Sequence, residues 1–495
     1  QLALAEKSLK GESALLIAPT GGGKTLAGFL GSLIELSERK RAANSDRPAL
    51  HTLYISPLKA LAADVQRNLM GPVEDMGLGI RIESRTGDTP SHVRQRQRRT
   101  PPDILLTTPE QLALFLASDH AKEFFADLKC VIVDEIHAMA ASKRGDLLAL
   151  GLATLASWAP ACRFIGLSAT GREPQSLADW LDVRSGAGEV RVLTAEGGVS
   201  ADVDILISKQ RIPWSGHSGR FAVPEVYEAI KKATMTLVFV NTRSQAFLMF
   251  QELWHANEDG LPIALHHGSL AREQRTKVEA AMAAGALKAV VCTSTLDLGI
   301  DWGDVDLVVH VGSPKGASRL AQRIGRANHR MDEASKAILV PANRFEVMEC
   351  QAALDANYLG AQDTPPLADG ALDVLCQHIL GSACAEPFRA DDLYAEITPS
   401  APYAHLPRET FDRAIQFVAH GGYALQSYER YARIKLTKDG TWRVAHPSVA
   451  QQYRLNCGTI IEAPMLNIRL TRQRKGGPLR GGPVLGKIEE GFIES

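Results

Sequence analysis

The sequence has little that would mark a metalloprotein, a membrane protein or a strongly basic protein. Its seven cysteines include no C-x-x-C pair, which argues against a zinc site or an iron–sulfur cluster. No apolar run is long enough to span a bilayer, and no signal peptide is recognisable. The formal net charge is −1, so no overall excess of positive charge points to a nucleic-acid partner, although a groove needs only a local basic lining. Scattered cysteines in hydrophobic runs indicate a reducing compartment, and we expect a cytoplasmic protein with no membrane partner.

The length of 495 residues is too great for a single core and predicts roughly three domains of about 150 residues each. Hydrophobic residues make up 45% and charged residues 22%, as is typical of globular proteins. The chain begins at Gln1 rather than Met and ends on GKIEEGFIES, which resembles a strand cut short. We expect a fragment of a longer protein.

Apolar strands alternate with amphipathic helical stretches through the first two-thirds of the chain. The strand-like runs are ALLIAP, HTLYISP, DILLTTP, CVIVDE and RFIGLSAT, and later TMTLVFVNT, LPIALHHG, LKAVVCTS, DLVVHVGSP and KAILVPA. Such alternation is typical of an α/β fold with parallel sheets covered by helices. The stretch 208–224 is rich in Gly, Ser and Pro and is predicted to link the two blocks.

The last third of the chain has a different pattern. Helical stretches are predicted over 371–384, 390–396 and 408–420, and two short strands flank a turn at Asp439-Gly440. Three helices and a hairpin predict a winged helix. From about Val449 onward the chain looks strand-like. The predicted domain boundaries are 1–193, 194–365, 366–448 and 449–495.

A glycine-rich loop stands between a predicted strand and a predicted helix in LLIAPTGGGKTLAGFL. Glycines let backbone N–H groups turn around phosphate oxygens, and the helix N-terminus adds its dipole. We predict that Lys24 reaches the β and γ phosphates of ATP and that Thr25 holds Mg²⁺. The loop residues predicted to surround the nucleotide are Thr20, Gly21, Gly22 and Gly23.

The run CVIVDEIHAM ends a second hydrophobic strand with two carboxylates. An ATP-hydrolysing site needs a carboxylate for the metal and a base that orients the attacking water. Asp134 fits the first role and Glu135 the second. His137 is either a structural histidine or a link between the hydrolytic site and other motifs.

The run SRLAQRIGRANHR carries several charges on one predicted helix. Residues three apart share a helix face, and a γ-phosphate needs positive charge in the transition state, which an arginine from another domain can supply. We therefore predict that Gln322, Arg323 and Arg326 face the ATP. A solvated helix face still suits Arg319 and Arg330.

Eight ordered motifs give the sequence a resemblance to superfamily 2 DExH-box helicases. They are APTGGGKT, SPLKAL, TTPE, DEIH, SAT, VFVNTR, TSTLDLGID and QRIGRANH. The stretch GIDWGDVDLVVHVGSPKGASRLAQRIGRANHR further resembles the Lhr family, and GTIIEAPMLNIRL resembles its shorter, ligase-associated branch. The resemblance implies two tandem RecA-like domains, a winged helix and the start of a β-barrel module. It also implies ATP-dependent movement from 3′ to 5′ on single-stranded DNA, in DNA repair, in the bacterial cytosol or nucleoid.

The resemblance also implies roles for residues beyond the ATP phosphates. Gln1 falls where such helicases place a glutamine that reads adenine, although a terminal glutamine can equally be a plain exposed side chain. Gly299 and Asp301 match positions that touch the nucleotide. Ser168 and Thr170, in the SAT motif, are implied to couple hydrolysis to domain movement.

A further set of residues is suited to binding the phosphates of the tracked strand. Thr108 precedes Pro109, a helix-start pattern with free N–H groups that suits a phosphate but reads no base sequence. A simple capping or turn role remains equally open for each member. The predicted nucleic-acid-binding residues are Ser56, Lys59, Thr107, Thr108, Thr242, Arg243, His267, Ser269, Thr293 and Thr295.

Three functions fit these patterns. The first is an ATP-driven DNA translocase and helicase, acting as a monomeric core on single-stranded DNA or an RNA–DNA hybrid, with a DNA ligase or nuclease as repair partner. The second is an RNA helicase with the same motor, which a requirement for the 2′-OH would identify. The third is a nucleotide-gated clamp that recruits repair enzymes and turns over slowly.

In the winged helix, Trp442 is suited either to stacking on bases or to the core.

Overall fold

The computed structural model describes most of the chain, in thirteen segments. They are 1–18, 23–42, 48–169, 173–184, 190–195, 201–216, 218–297, 305–327, 334–359, 366–421, 432–455, 465–472 and 480–489. The chain divides into two compact units, of which the first holds residues 1–18, 23–196 and 364–459 and the second is centred on residues 197–363.

Within the described residues, the first unit contains a sheet of seven parallel strands in the order β3-β4-β2-β5-β6-β1-β7. The strands are β1 (Ala14–Ile17), β2 (Thr52–Ile55), β3 (Ile82–Arg85), β4 (Ile104–Thr107), β5 (Cys130–Val133), β6 (Arg163–Ser168) and β7 (Arg191–Thr194). The helices before the winged helix are α1 (Leu2–Leu9), α2 (Lys24–Ala42), α3 (Lys59–Asp75), α4 (Ser91–Arg99), α5 (Pro109–Leu116), α6 (Ala121–Phe125), α7 (Lys143–Trp158) and α8 (Pro174–Leu181). The sheet's side chains contribute to two separate hydrophobic clusters, as expected of a parallel sheet with helices on both faces.

The second unit repeats this architecture. Within the described residues its sheet has six parallel strands in the order β10-β11-β9-β12-β13-β8. The strands are β8 (Asp202–Ile205), β9 (Thr236–Val240), β10 (Ile263–His266), β11 (Ala289–Cys292), β12 (Leu307–Val311) and β13 (Lys336–Val340). The helices are α9 (Val223–Lys232), α10 (Arg243–His255), α11 (Arg272–Ala283), α12 (Ala317–Ile324) and α13 (Arg344–Tyr358). The prediction of two α/β parallel-sheet domains is confirmed.

The sequence predicts that 208–224 links the two α/β blocks, and the structure shows that it does not. It follows the edge strand β8, which pairs with β13, and therefore connects two parts of the second unit. In β8 only Val203 is buried in the core, and the exposed aspartates of the sequence DVDI explain why the run gave no strand signal.

A helical module with a hairpin follows, and within the first unit it packs on the α/β part. Its elements are α14 (Leu372–Ala385), α15 (Ala390–Ile397), α16 (Arg408–His420), β14 (Ile434–Leu436), β15 (Trp442–Val444) and α17 (Pro447–Leu455). The hairpin is antiparallel, and Gly440 at its turn has φ of 78°, which favours glycine. Leu147 and Leu150 of α7 belong to the same hydrophobic cluster as the module's own core. Trp442 is buried in that cluster, which favours its core role over base stacking.

The expectation that the chain is strand-like from about Val449 is wrong for its first part. Residues 447–455 form helix α17, which begins at a proline, a residue favoured at the first helical position. Val449 and Tyr453, four residues apart, bury one face of this helix in the module's core. Two strands do follow, β16 (Met465–Arg472) and β17 (Arg480–Glu489), and they pair antiparallel.

Candidate ATP and nucleic-acid sites

The carboxyl ends of β5, β6 and β1 are neighbours in the first sheet and bring three motifs to one edge. Lys24 opens α2 just after β1 and is only 8% exposed. Among the described residues its Nζ has no hydrogen-bond partner. A buried ammonium without a partner is costly, so this atom fits an anionic ligand such as a phosphate. Thr25, the next residue of the helix, is half-buried.

Gly23 is the described part of the glycine-rich loop. It has φ of 66°, and a Cβ built on it would collide with the side-chain amide of Gln1. This closeness places Gln1, whose side chain is exposed, beside the loop, and its adenine-reading role stays a prediction. Thr20, Gly21 and Gly22 lie outside the described residues.

Asp134 is buried among groups that hold it from two sides. Its Oδ2 accepts a hydrogen bond of 2.6 Å from the Tyr54 hydroxyl, and its Oδ1 accepts one of 2.8 Å from the backbone N–H of Glu135. Burial, followed by the negative charge of Glu135, raises the pKa of Asp134 to about 6, while Lys24 acts in the opposite direction. A carboxylate retains further lone pairs after two such bonds, so Asp134 fits a divalent cation.

Glu135 is held in an unusual backbone conformation. Its φ of 50° and ψ of 41° are left-handed, and it is the one non-glycine residue with positive φ in the described part of the chain. Such a conformation costs energy and is characteristic of functional sites. The buried carboxylate lies 3.5 Å from Nε2 of His137.

His137 connects the DEIH and SAT motifs. Its Nδ1 is 2.8 Å from the hydroxyl of Ser168, the last residue of β6. The carbonyl of Ser168 in turn accepts a hydrogen bond of 3.0 Å from the N–H of Ala18, where β1 leads into the glycine-rich loop. Burial lowers the pKa of His137, so the ring is neutral near pH 7. Thr170 lies outside the described residues.

In the second unit, Arg323 is used inside its own unit. It is 1% exposed, and Asp297 accepts hydrogen bonds of 2.8 and 3.3 Å from its guanidinium. Nε2 of His310 accepts another, and the guanidinium lies over the ring of Phe239. Burial, and then Arg323, lower the pKa of His310 to about 3, so this imidazole stays neutral and able to accept. These bonds hold the donors of Arg323 within its own unit, and the prediction that Arg323 faces ATP stays a prediction.

Arg326 is also buried, although it lies only three residues further on. Its Nε donates a hydrogen bond of 3.3 Å to the carbonyl oxygen of Gln322. Burial excludes the solvated interpretation for both Arg323 and Arg326, whereas the Arg319 side chain is 45% exposed. Three other residues of this region with predicted roles, Gly299, Asp301 and Arg330, lie outside the described residues.

In the first unit, the residues predicted to bind nucleic acid fall into two groups. The hydroxyl of Ser56 donates 3.0 Å to the carbonyl oxygen of Leu58, and that of Thr107 donates 2.8 Å to the carbonyl oxygen of Arg85. Both hydroxyls are buried and satisfied, which favours their turn roles. Thr108, by contrast, precedes α5 without using its side chain as a cap, and Lys59 is exposed.

In the second unit, His267 is the predicted nucleic-acid-binding residue whose surroundings best fit a ligand. It is buried, its Nδ1 accepts from the N–H of Ser269 at 3.3 Å, and its Nε2 has no partner among the described residues. Burial, and then nearby Arg243, lower the pKa of His267 to about 4, so the neutral ring presents an unused Nε2–H. The Ser269 hydroxyl is likewise unpartnered among the described residues, and Arg243 is exposed.

The remaining members of the set have local structural bonds. Thr242 forms a capping box with Gln245 at the start of α10. Thr295 holds Nδ1 of His266 at 2.9 Å, and Thr293 is buried.

Sequence reasoning missed two residues that hold the site. Tyr54, which binds Asp134, is the one polar-tipped aromatic in the strand TLYI, and a buried hydroxyl needs a partner. Asp297, which binds Arg323, lies 26 residues away from it in the chain, so no local pattern joins the two.

The described residues contain no group of three or more His, Cys, Asp or Glu able to hold a metal on its own. A magnesium ion at Asp134 and Thr25 therefore needs phosphate oxygens as further ligands, as is usual for Mg²⁺ with nucleotides. In the described part of the chain, no helix combines the length and the apolar character needed to cross a membrane.

Comparison with known families defines the class of protein first. The DEAD/DEAH box helicase profile matches residues 1–177, and the helicase conserved C-terminal domain profile matches residues 222–331. A third profile, the winged helix domain of large helicase-related protein, matches residues 361–495. The two α/β units thus carry the two helicase profiles, and the module after them is a winged helix.

Comparison with individual proteins identifies the family within the helicase class. The ATP-dependent helicase Lhr-Core of Methanothermobacter thermautotrophicus is 34% identical, over 98% of this chain and 57% of that protein. The Lhr helicase/probable uracil glycosylase of Mycolicibacterium smegmatis is 34% identical, over 94% of this chain and 33% of that protein. The structure of Mycobacterium smegmatis helicase Lhr bound to ssDNA and AMP-PNP has a TM-score of 0.81 and 34% identity, over 93% of this chain and 61% of that one. The chain belongs to the Lhr family of helicases and spans one-third to three-fifths of these relatives.

Proposed function

We propose that the chain is the motor core of an ATP-dependent helicase that moves from 3′ to 5′ along single-stranded DNA. The observation that carries the proposal is the buried Lys24 ammonium, which has no hydrogen-bond partner among the described residues. Its positive charge is close enough to Asp134 to oppose the rise in the pKa of that carboxyl group. The Lhr relative whose structure holds ssDNA and AMP-PNP supports both ligands.

At the first sheet, the residues divide the work of hydrolysis. ATP with Mg²⁺ supplies the phosphoryl group that water attacks. Lys24 neutralises phosphate charge, and Thr25 and Asp134 hold the metal. Glu135 orients the water, and its strained backbone fixes the carboxylate for that task.

A transferred phosphoryl group needs positive charge from an arginine in the transition state. We assign this role to Arg326, assisted by Gln322, because Arg323 is held by Asp297 and His310. Arg323 is then a positioning residue that anchors α12 on its sheet.

The tracked strand is held through its phosphates, so no base sequence is read. His267, Ser269 and Arg243 offer donors in the second unit, and Lys59 and the N-terminus of α5 offer positive charge in the first. The chain of bonds from His137 through Ser168 to the loop is suited to carrying the hydrolysis signal, with Thr170.

We extend the proposal to DNA repair in the bacterial cytosol, with DNA or RNA–DNA duplexes as substrates and a ligase or nuclease as partner. The core acts as a monomer in this scheme. These parts rest on the sequence's likeness to the shorter, ligase-associated Lhr branch.

The test is steady-state ATP hydrolysis without nucleic acid, with single-stranded DNA and with single-stranded RNA. Strong stimulation by DNA alone is expected, followed by unwinding of 3′-tailed but not 5′-tailed duplexes. Equal stimulation by RNA would favour an RNA helicase. Tight ATP-dependent DNA binding with slow turnover and no unwinding would favour a clamp.

A further inference from the structure

Arg144 joins two loops that are separate in the sequence. It lies in the first turn of α7, and its guanidinium donates to both carboxylate oxygens of Glu110, at 2.5 and 3.1 Å. The same guanidinium donates 2.8 Å to the carbonyl oxygen of Pro57. Three hydrogen bonds from one planar group thus connect the SPLKAL and TTPE motifs, both of which belong to the proposed strand-binding surface.

Glu110 places a negative charge next to the proposed phosphate-binding position at the start of α5. It lies in the first turn of α5, directly after Thr108 and Pro109. The N-terminus of a helix attracts anions, and this one is proposed to hold a phosphate of the tracked strand. An uncompensated carboxylate at that turn repels a phosphate.

We propose that Arg144 is a positioning residue that cancels the charge of Glu110 and fixes the Pro57 loop, so that the start of α5 accepts a DNA phosphate. This inference rests on the proposed function. The geometry requires arginine, because a lysine ammonium cannot make the two-oxygen fork and reach a third acceptor.

The same turn of α7 packs directly on the segment that follows the DEIH motif. A Cβ built on Gly145 would lie within 3 Å of backbone atoms of Met139 and Ala140, so only glycine fits. The Ser142 hydroxyl donates 2.7 Å to the carbonyl oxygen of Met139 and accepts from the N–H of Gly145. The turn that carries Arg144 is therefore in direct contact with the segment that follows the DEIH motif.

The experiment is a double-mutant cycle of Arg144→Met and Glu110→Gln. The matched control is Lys143→Ala, which removes the neighbouring exposed ion pair with Asp373. We measure the Kd for a fluorescent oligo-dT strand, the DNA concentration that half-saturates ATP hydrolysis, the basal hydrolysis rate and Tm.

Arg144→Met is expected to raise the Kd for oligo-dT and the half-saturating DNA concentration about tenfold, as for loss of one partner of a charge pair. Basal hydrolysis is retained. The double variant is expected to recover most of the lost DNA affinity, because the repelling charge is gone. Lys143→Ala is expected to behave as the wild type.

Two results would overturn the inference alone. One is that the wild type binds DNA and the Arg144→Met variant binds it with the same Kd. The other is a double variant no better than Arg144→Met, which would reduce Arg144 to a structural tie. A wild type that binds no single-stranded DNA would overturn the proposed function and this inference with it.

Discussion

The two α/β units share an architecture but treat their buried charges in opposite ways. In the first, the Lys24 ammonium has no described hydrogen-bond partner, and burial, followed by the adjacent Glu135 carboxylate, raises the pKa of Asp134 to about 6. In the second, Arg323 is enclosed by Asp297 and a neutral His310.

Under the proposed function, this difference separates a ligand site in the first unit from a stabilising cluster in the second. Unsatisfied buried charge is costly and persists where a ligand repays it, whereas a satisfied pair mainly fixes geometry. The comparison predicts that charge substitutions in the first unit affect turnover, and that substitution of Arg323 affects folding.

The largest effect is expected from Glu135→Gln. Loss of the water-orienting base should lower ATP turnover by at least about a hundredfold while nucleotide binding persists. Steady-state hydrolysis and binding of a fluorescent ATP analogue measure the two quantities. The control is Glu173→Gln, an exposed carboxylate of the same unit. Normal hydrolysis by the Glu135 variant would disprove the assignment of the base.

The next pair of substitutions tests the comparison directly. Arg326→Met should lower ATP turnover by about a thousandfold with little change in Tm, as for loss of a phosphate-facing arginine. Arg323→Met leaves the buried Asp297 with only the half-exposed Arg319, 3.8 Å away, and unfolding should cost about 3 kcal/mol less. Urea denaturation and hydrolysis assays measure both variants.

The exposed Arg211 of the same unit provides the control for that pair, since Arg211→Met should change neither quantity. An Arg323 variant with native stability and no turnover would reverse the two assignments, and with them the contrast between the units.

Titration of Asp134 should sharpen the contrast further. Its folded-state pKa, about 6, is raised above the ordinary 3.8, so the stability it contributes is complete below pH 3.8 and is lost as pH rises through 6. Asp134→Asn should therefore stabilise the nucleotide-free protein at pH 8, by up to about 3 kcal/mol, and much less at pH 4.

Melting curves from pH 4 to pH 8 measure this effect, with exposed Asp127→Asn as the control. In the wild type, Mg²⁺-dependent stabilisation by AMP-PNP should weaken below pH 6, because protons compete with the metal for Asp134. A stability difference independent of pH would contradict the prediction.

The sequence predicted what depends on local order and periodicity. Each of the ten apolar runs contains a strand, because a parallel strand buried on both faces needs a continuous apolar segment. The edge strands β3, β7 and β8 were missed, since an edge strand is less buried and its residues, as in IESR and DVDI, are largely polar. Helix α17 was read as strand because its burial depends on the winged-helix core rather than on its own sequence.

The site divides in the same way. Lys24, Asp134 and Glu135 could be selected from the sequence because each lies at a fixed distance from a strand end, and their roles stay predictions. The partner of Arg323 was not found, because Asp297 meets it only after the second sheet has formed. The sequence thus predicts which helix carries an arginine, but only the folded structure identifies the carboxylate that binds it.

The smallest predicted effects come from a histidine–hydroxyl pair in each unit. His137 is 2.8 Å from Ser168 in the first, and His266 is 2.9 Å from Thr295 in the second. Ser168→Ala and Thr295→Val should each lower the unfolding free energy by about 1 kcal/mol, the usual contribution of one hydrogen bond. Their effects on ATP hydrolysis should differ. Ser168→Ala should lower the maximal DNA stimulation at unchanged half-saturating DNA, because it breaks the path from the DEIH motif, whereas Thr295→Val should raise the half-saturating concentration. The same kinetic change in both variants would mean that the two pairs only stabilise their sheets.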